Sequence, residues 1–222
     1  MAGKTAERIL ITSLELFNRH GEAGVTSVDI AMELDISPGN LYYHFKGKDV
    51  IVAALFDMYR QQLNRILTAP GESLDLEEFF YFLYLMLECS ALFRFFYRNP
   101  SDLVEKYPEL AKGLRALNKA KLDNIRRLLG DFQQSGQLAL DSDDLPQLVE
   151  LVGLILSQGP DYSLLMGQTL DNEQFIHQGL SHIYFLLKPH INTDKISLDG
   201  LQAAIAKAPH TQVSTLPWRT TA

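Results

Sequence analysis

The sequence predicts an all-α fold, an N-terminal three-helix helix-turn-helix module followed by a larger C-terminal helical domain. Three observations predict it. Apolar residues recur at helical spacing from residue 5 to beyond residue 200. Gly21, Pro70-Gly71, Pro100, Pro108, Gly136 and Pro189 cut that pattern into helix-length pieces. No segment alternates polar and apolar residues at strand length, and Leu138-Ala139-Leu140 is too short to count.

The N-terminal elements follow from their caps. Residues 5–20 place Ile9, Leu10, Ser13, Leu14, Leu16 and Phe17 on one face; Thr5 is positioned to cap this helix and Gly21 to end it. Thr26 or Ser27 caps a short second helix, with Asp29 in the first turn where the helix dipole favours an acid. Val28, Ile30, Ala31 and Leu34 form its buried side, and Asp35-Ile36 is a tight connection. Ser37 caps the third helix, and Pro38 takes the first helical position, where its missing N–H costs nothing. Leu41 and Phe45, four apart, face inward together. A fourth helix covers residues 49–67 and ends at Ala69-Pro70-Gly71.

From Leu74 the character changes. Residues 75–98 read as one aromatic-rich helix, 101–107 as a short helix, and 109–135 as a long amphipathic one. Residues 145–166 read as an apolar helix interrupted at Gly159-Pro160, 172–188 as another, and Leu198 to Ala208 as a shorter one. The resulting domains are 1–48 (helix-turn-helix), 49–208 (helical ligand-binding and dimerisation domain) and a polar tail, 209–222.

Charge and cysteine content narrow the function. The net charge is −7, so any contact with nucleic acid rests on a local surface and not on the whole molecule. The single cysteine, Cys89, lies in an apolar run and reads as a small buried hydrophobe. No apolar stretch approaches the roughly 20 residues of a spanning helix, and the N-terminus carries no secretory apolar core, so a cytoplasmic protein is expected. The six histidines have no metal-binding spacing; His177 and His182 are five apart. There is no Gly-rich phosphate loop and no nucleophile elbow. No enzyme, metal or cofactor is expected.

Three short helices joined by tight turns form a module whose last helix can enter a DNA major groove. With Leu41 and Phe45 inward, other residues of that helix are left for contacts. Gly39 permits close backbone approach, and Asn40 suits an adenine edge. Tyr42 and Tyr43 offer hydroxyls to phosphates and rings to thymine methyls, and His44 and Lys48 suit phosphates.

Here the sequence resembles the tetracycline-repressor (TetR) family. The resemblance covers about the first 60 residues. It is carried by Ile9-Leu10, Leu16-Phe17 with Gly21, Val25-Thr26-Ser27, Ile30-Ala31, Leu34, Ile36-Ser37 and the run Leu41-Tyr42-Tyr43-His44-Phe45-Lys46-Gly47-Lys48. It implies DNA contacts from Thr26, Ser27, Ser37, Pro38, Gly39, Asn40, Tyr42, Tyr43, His44 and Lys48, with Thr5 as a further phosphate contact. Two features depart from it. Residues 1–50 hold five Lys/Arg against seven Asp/Glu, a net of −2, and position 28 is Val where some relatives carry a base-reading Arg. An alternative is a helix-turn-helix protein that acts through protein–protein contacts without binding DNA.

The remaining two-thirds suggests a pocket and a dimer face. The resemblance implies an effector cavity among the later helices, with Tyr84, Glu88, Phe93, Phe96, Leu128, Phe132, Tyr162 and Met166 as lining candidates for an apolar or amphipathic molecule. Leu148, Leu151, Val152, Ile155, Leu156, Ile176, Leu180, Ile183, Tyr184 and Leu187 make wide apolar stripes at 145–166 and 172–188. Gly153, Ser157, Gly179 and Ser181 would let a partner helix approach closely. A homodimer through these helices would set two recognition helices on a pseudo-palindromic operator. The expected function is a transcription regulator, a repressor released by its effector.

Overall fold

The computed structural model describes residues 2–69, 74–167 and 171–206. The expected tail at 209–222, the end of the last helix at Ala208 and the Pro70-Gly71 break lie outside the described residues. Those that are described form α1 (Ala2–His20), α2 (Ser27–Glu33), α3 (Pro38–His44), α4 (Lys48–Thr68), α5 (Leu76–Leu92), α6 (Phe95–Arg98), α7 (Pro100–Lys106), α8 (Pro108–Gln134), α9 (Leu145–Leu165), α10 (Asn172–Leu187) and α11 (Leu198–Ala206), with a 3-10 turn at Lys188–His190. Among them the one β pairing is an isolated bridge between Leu138 and Ile191.

Several boundaries differ from expectation for identifiable reasons. Helix α1 begins at Ala2, so Thr5 lies inside it and does not cap it. Helix α9 runs through Gly159-Pro160 without interruption. The expected helix at 75–98 breaks at Phe93-Arg94 into α5 and α6. The cause is distant in sequence. The Asn18 side-chain oxygen accepts from the Phe95 N–H at 3.0 Å, and Arg98 Nη1 donates to the Arg19 carbonyl at 2.8 Å. The end of α1 thus holds the turn.

The chain forms two compact units. Among the described residues, one comprises those up to Gln62 together with Phe93–Gly113; the other comprises those of Leu63–Leu92 and those from Leu114 to Ala206. This division departs from the expected boundary after residue 48, because most of α4 and all of α6 and α7 pack with the helix-turn-helix. Their shared core is aromatic. Phe17 meets Phe95 at 5.3 Å between ring centres, and Tyr59 meets Phe93 and Phe96 at 5.4 and 5.7 Å. The Tyr59 and Tyr97 hydroxyls hydrogen-bond to each other inside it. Helices α1, α2 and α3 contact one another in pairs above this core.

In the second unit α5 is central, touching α9, α10 and α11. Phe79 packs edge-on to Phe132 at 5.5 Å, and Phe80 onto Tyr184 at 6.2 Å. Cys89 is buried there, and burial pushes its thiol up to about 12, so it behaves as a small hydrophobe. No helix among the described residues is long and apolar enough to cross a membrane.

Candidate nucleic-acid interface

Local chemistry builds the helix-turn-helix. Thr26 caps α2 through a capping box: its Oγ1 accepts from the Asp29 N–H, and the Asp29 carboxylate accepts from the Thr26 N–H at 2.8 Å and from its hydroxyl at 2.7 Å. Those hydrogen bonds hold the Asp29 carboxyl below its ordinary value. Helix α2 stops in a Schellman arrangement. The Ile36 N–H reaches the Ala31 carbonyl at 3.0 Å and the Asp35 N–H reaches the Met32 carbonyl at 3.1 Å, with Asp35 left-handed at φ 53°. Aspartate tolerates that conformation better than most side chains. Ser37 then caps α3, accepting from the Asn40 N–H at 3.1 Å, and Pro38 takes the first turn.

The recognition helix divides as expected between core and surface. Leu41 and Phe45 are buried. Ser37, Pro38, Gly39, Asn40, Tyr42 and Tyr43 are exposed, and His44 is half-buried with its ring edge against Tyr43. Tyr42 is 56% exposed and Tyr43 73%, large values for aromatic rings. The Lys46 ammonium lies 4.9 Å from the centre of the Tyr42 ring and brings a cation to this face. A Cβ built on Gly39 would meet only Ser37 Oγ, at 3.9 Å, so the fold itself does not require glycine there. Thr26 is exposed, Ser27 is half-buried, and Thr5 is half-buried within α1. Val28, expected on the buried side of α2, is instead exposed, as is Met32 one turn later.

Lys48 is placed differently from the rest. Its Nζ donates to the Glu22 carbonyl at 2.9 Å and to the Val25 carbonyl at 2.7 Å, and pairs with Glu22 Oε1 at 2.9 Å. The same Oε1 takes Lys106 Nζ at 2.8 Å and the Tyr107 hydroxyl at 2.7 Å. Burial would raise the Glu22 carboxyl, but the donors from Lys106, Lys48 and Tyr107 outweigh it and hold the group below its ordinary value. Tyr107 is pushed up to about 12, by burial first and then by the Glu22 carboxylate. Local pattern had no signal for this cluster, because Glu22 is 26 residues from Lys48 and 84 from Lys106.

The expected effector-pocket residues are divided between the two units. Phe93 and Phe96 are buried in the core of the first unit against Tyr59. Tyr84, Leu128 and Phe132 are buried in the second unit, with the Tyr84 hydroxyl 3.4 Å from Glu88 Oε1. Burial and then the Glu88 charge push that phenol up to about 12. Tyr162 and Met166 are exposed on α9 and just beyond it.

Of the ten expected dimer residues, Leu148, Val152, Leu156, Ile176, Leu180, Ile183, Tyr184 and Leu187 are buried within the chain itself. They pack into the chain's own core. Two of the small residues sit against the chain's own side chains: a Cβ on Gly153 would run into Leu122, and one on Gly179 would meet Leu87 at 3.0 Å, whereas Ser157 is half-buried and Ser181 exposed. An exposed apolar face remains, and it includes the other two expected residues, Leu151 and Ile155. Leu151, Leu154, Ile155, Tyr162, Phe185 and Leu186 line a groove between α9 and α10 of about 520 Å³, with Gln158, Gln178 and His182 among its polar members. Phe185 is the sequence signal for it, an apolar residue out of register with the Ile176–Leu180–Ile183–Leu187 stripe.

Comparison with known proteins agrees with this geometry. Residues 9–55 match the family model described as bacterial regulatory proteins, tetR family. Residues 58–196, more than half of the chain, match that of a TetR bacterial transcriptional repressor domain. A solved TetR-family transcriptional regulator from Marinobacter aquaeolei superposes with a TM-score of 0.80 at 28% identity, covering 92% of this chain and 98% of that one. A γ-butyrolactone receptor described as ArpA-like superposes at 0.70 with 17% identity, over 93% and 97% of the two chains.

Among curated proteins, the negative transcriptional regulator IcaR of the biofilm operon icaADBC of Staphylococcus epidermidis is 24% identical over 65% of this chain and 78% of its own length. A helix-turn-helix-type regulator from the dhlA 5′ region of Xanthobacter autotrophicus is 41% identical over 66 residues, 30% of this chain and 31% of that protein. The chain is therefore a member of the TetR family of bacterial transcription regulators, which bind DNA through a helix-turn-helix.

Proposed function

We infer that this chain is a cytoplasmic homodimeric repressor that releases a pseudo-palindromic operator when a small apolar or amphipathic molecule binds its second unit. The observation that carries the reading is the uncovered apolar groove of α9 and α10, in which Phe185 is 76% exposed beside Leu154, Leu151 and Tyr162. Contiguous apolar surface of this kind marks an interaction site. A second copy related by two-fold symmetry covers it with its own α9 and α10. The dimer then carries two recognition helices, whose half-sites on B-DNA lie about 34–36 Å apart.

Ser37, Pro38, Gly39, Asn40, Tyr42, Tyr43 and His44 meet the DNA, with Thr26 and Ser27 at the start of α2. The effector site lies within the second unit around Tyr84, Glu88, Leu128 and Phe132. A single polar pair, the Tyr84 hydroxyl and Glu88, orients the polar end of an otherwise apolar molecule. The names of two relatives, a negative regulator and a γ-butyrolactone receptor, support repression and small-molecule response. The chain acts by binding and not by catalysis. An effector that shifts DNA affinity needs a coupling of about 1–3 kcal/mol.

The test is the mass of the chain in solution by light scattering. The unaltered chain gives a dimer and Phe185→Glu, which places a charge in the groove without touching the core, gives a folded monomer. A Phe185→Glu chain that keeps the dimer mass rejects the interface.

A further inference from the structure

Resting on the reading of the second unit as an effector site, we propose that Lys121 anchors the head group of the effector, and that the effector is therefore an anionic amphiphile, an apolar body that ends in a carboxylate.

Lys121 stands in the middle of an apolar face. It lies on α8 one turn after Leu117 and one turn before Ile125, and the stripe continues through Leu128 and Phe132. All four of those side chains are buried, and Lys121 with them is only 3% exposed. Among the described residues of the second unit it is the one charged side chain so deeply buried. A lysine ordinarily lays its methylenes along apolar surface and carries its ammonium out to water. Here the ammonium stays inside. Burying a cation is costly, and a hydrophobe of similar volume would fill the place at lower cost. The charge therefore supplies chemistry and not packing.

The surrounding helices locate it. Phe79 of α5 packs on Phe132 of α8. Cys89 is ten residues after Phe79, and Lys121 is eleven before Phe132. At 1.5 Å per residue both steps are about 15–17 Å, so antiparallel helices bring Cys89 and Lys121 to one level. Helices α9 and α10 close that level, with Gly153 against Leu122 and Gly179 against Leu87.

Two charges act on the Cys89 thiol there. Lys121 draws it down and Glu88 pushes it up; Lys121 is the stronger of the two, although burial outweighs both. Glu88 is half-buried, and its Oε1 accepts from the Tyr84 hydroxyl at 3.4 Å. A carboxylate that keeps some contact with water offsets a fully enclosed ammonium only in part, so an anion at this depth meets a net attraction. The ammonium is engaged within the chain. An arriving carboxylate joins or replaces one of its partners, and a charge-assisted hydrogen bond in such surroundings is a strong one. Phe79, Leu128 and Phe132 then face the apolar body.

The experiment titrates the full chain by calorimetry with hexanoate, octanoate and decanoate, and with the alcohol and the amine of each length. At the length that binds, the acid should bind tenfold or more tighter than the alcohol, with the amine weakest. Lys121→Met should bring the affinity for the acid down to that for the alcohol, and leave the alcohol's unchanged or tighter. Lys121→Gln, which removes the charge but keeps a polar head, serves in its place where Lys121→Met does not fold.

An alcohol that binds the unaltered chain as tightly as its acid overturns the assignment. So does an amine that binds tightest, which would make Glu88 the anchor. A lysine that served only to pair with Glu88 would lower the melting temperature when replaced, yet leave the ratio of acid to alcohol affinity unchanged, and that result also overturns it. The head-group comparison uses the unaltered chain alone and decides the question whatever the variants' stability. If none of the compounds binds, the reading of the second unit as an apolar effector site falls, and the role of Lys121 with it. Tight binding of an alcohol overturns the role of Lys121 only.

Discussion

Gly39→Ala should move stability and DNA binding in opposite directions. Gly39 is the second residue of α3, on its exposed face. A methyl group there would meet only Ser37 Oγ, at 3.9 Å, an ordinary van der Waals distance. Glycine inside a helix costs about 0.5–1 kcal/mol relative to alanine, and less in a first turn. The substituted chain should therefore unfold at the same temperature or higher, by no more than about 2–4 °C for a chain of this size.

DNA binding should fall. First-turn N–H groups lack intrahelical acceptors and suit phosphate oxygens. A hydrogen bond to a charged group is worth about 1.5–3 kcal/mol, so excluding one phosphate by the new methyl lowers affinity by about 10- to 150-fold. Fluorescence anisotropy with a duplex recovered from a random double-stranded pool by selection on the unaltered protein reads the affinity, and a thermal melt on the same sample reads the stability. Unchanged affinity in a chain whose melt is unchanged or raised would refute the claim that DNA backbone lies against Gly39.

Further outcomes follow from the same geometry. Tyr42→Ala should lose about 1–3 kcal/mol of DNA affinity, the worth of a specific contact. Its unfolding should shift by no more than the roughly 0.5–1 kcal/mol of an exposed cation–π contact with Lys46; a large fall in melting temperature would place Tyr42 in the core. Gly153→Leu should destabilise by about 1–3 kcal/mol through overpacking against Leu122, and an unchanged melt would mean that α9 faces outward there.

The Glu22 carboxyl, held below its ordinary value in the folded chain, adds stability above the ordinary glutamate value of about 4.3 and loses it as pH falls through the lower folded value. The melting temperature of the unaltered chain should therefore fall more steeply with acid than that of Glu22→Gln. Parallel curves would show that Glu22 gains nothing from its three donors.

The helix boundaries that could be read from sequence are those set within one turn. Thr26 with Asp29, Ser37 with Pro38, and Gly21 after α1 act on atoms three or four residues away, so the residues that form each cap lie side by side in the chain. The inward pair Leu41 and Phe45 is equally local. That is why the exposed side of α3, from Ser37 to His44, was legible. The break at Phe93-Arg94 was not, because the acceptor for the Phe95 N–H belongs to Asn18. An uninterrupted apolar run looks the same whether or not a distant side chain competes for its backbone.

By itself the sequence determined an all-α chain and a helix-turn-helix with a divided recognition helix. Tertiary structure alone decided what covers each face. Periodicity shows that Leu180, Ile183 and Leu187 share a side of α10, but not that their own chain buries that side and leaves Phe185 outside. In the same way the sequence sets a lysine after a recognition helix without showing its acceptors within the chain. For Lys48 those acceptors are the Glu22 and Val25 carbonyls and the Glu22 carboxylate, more than twenty residues earlier. Burial and ion pairing depend on contacts between residues far apart in the chain, and local pattern carries no record of them.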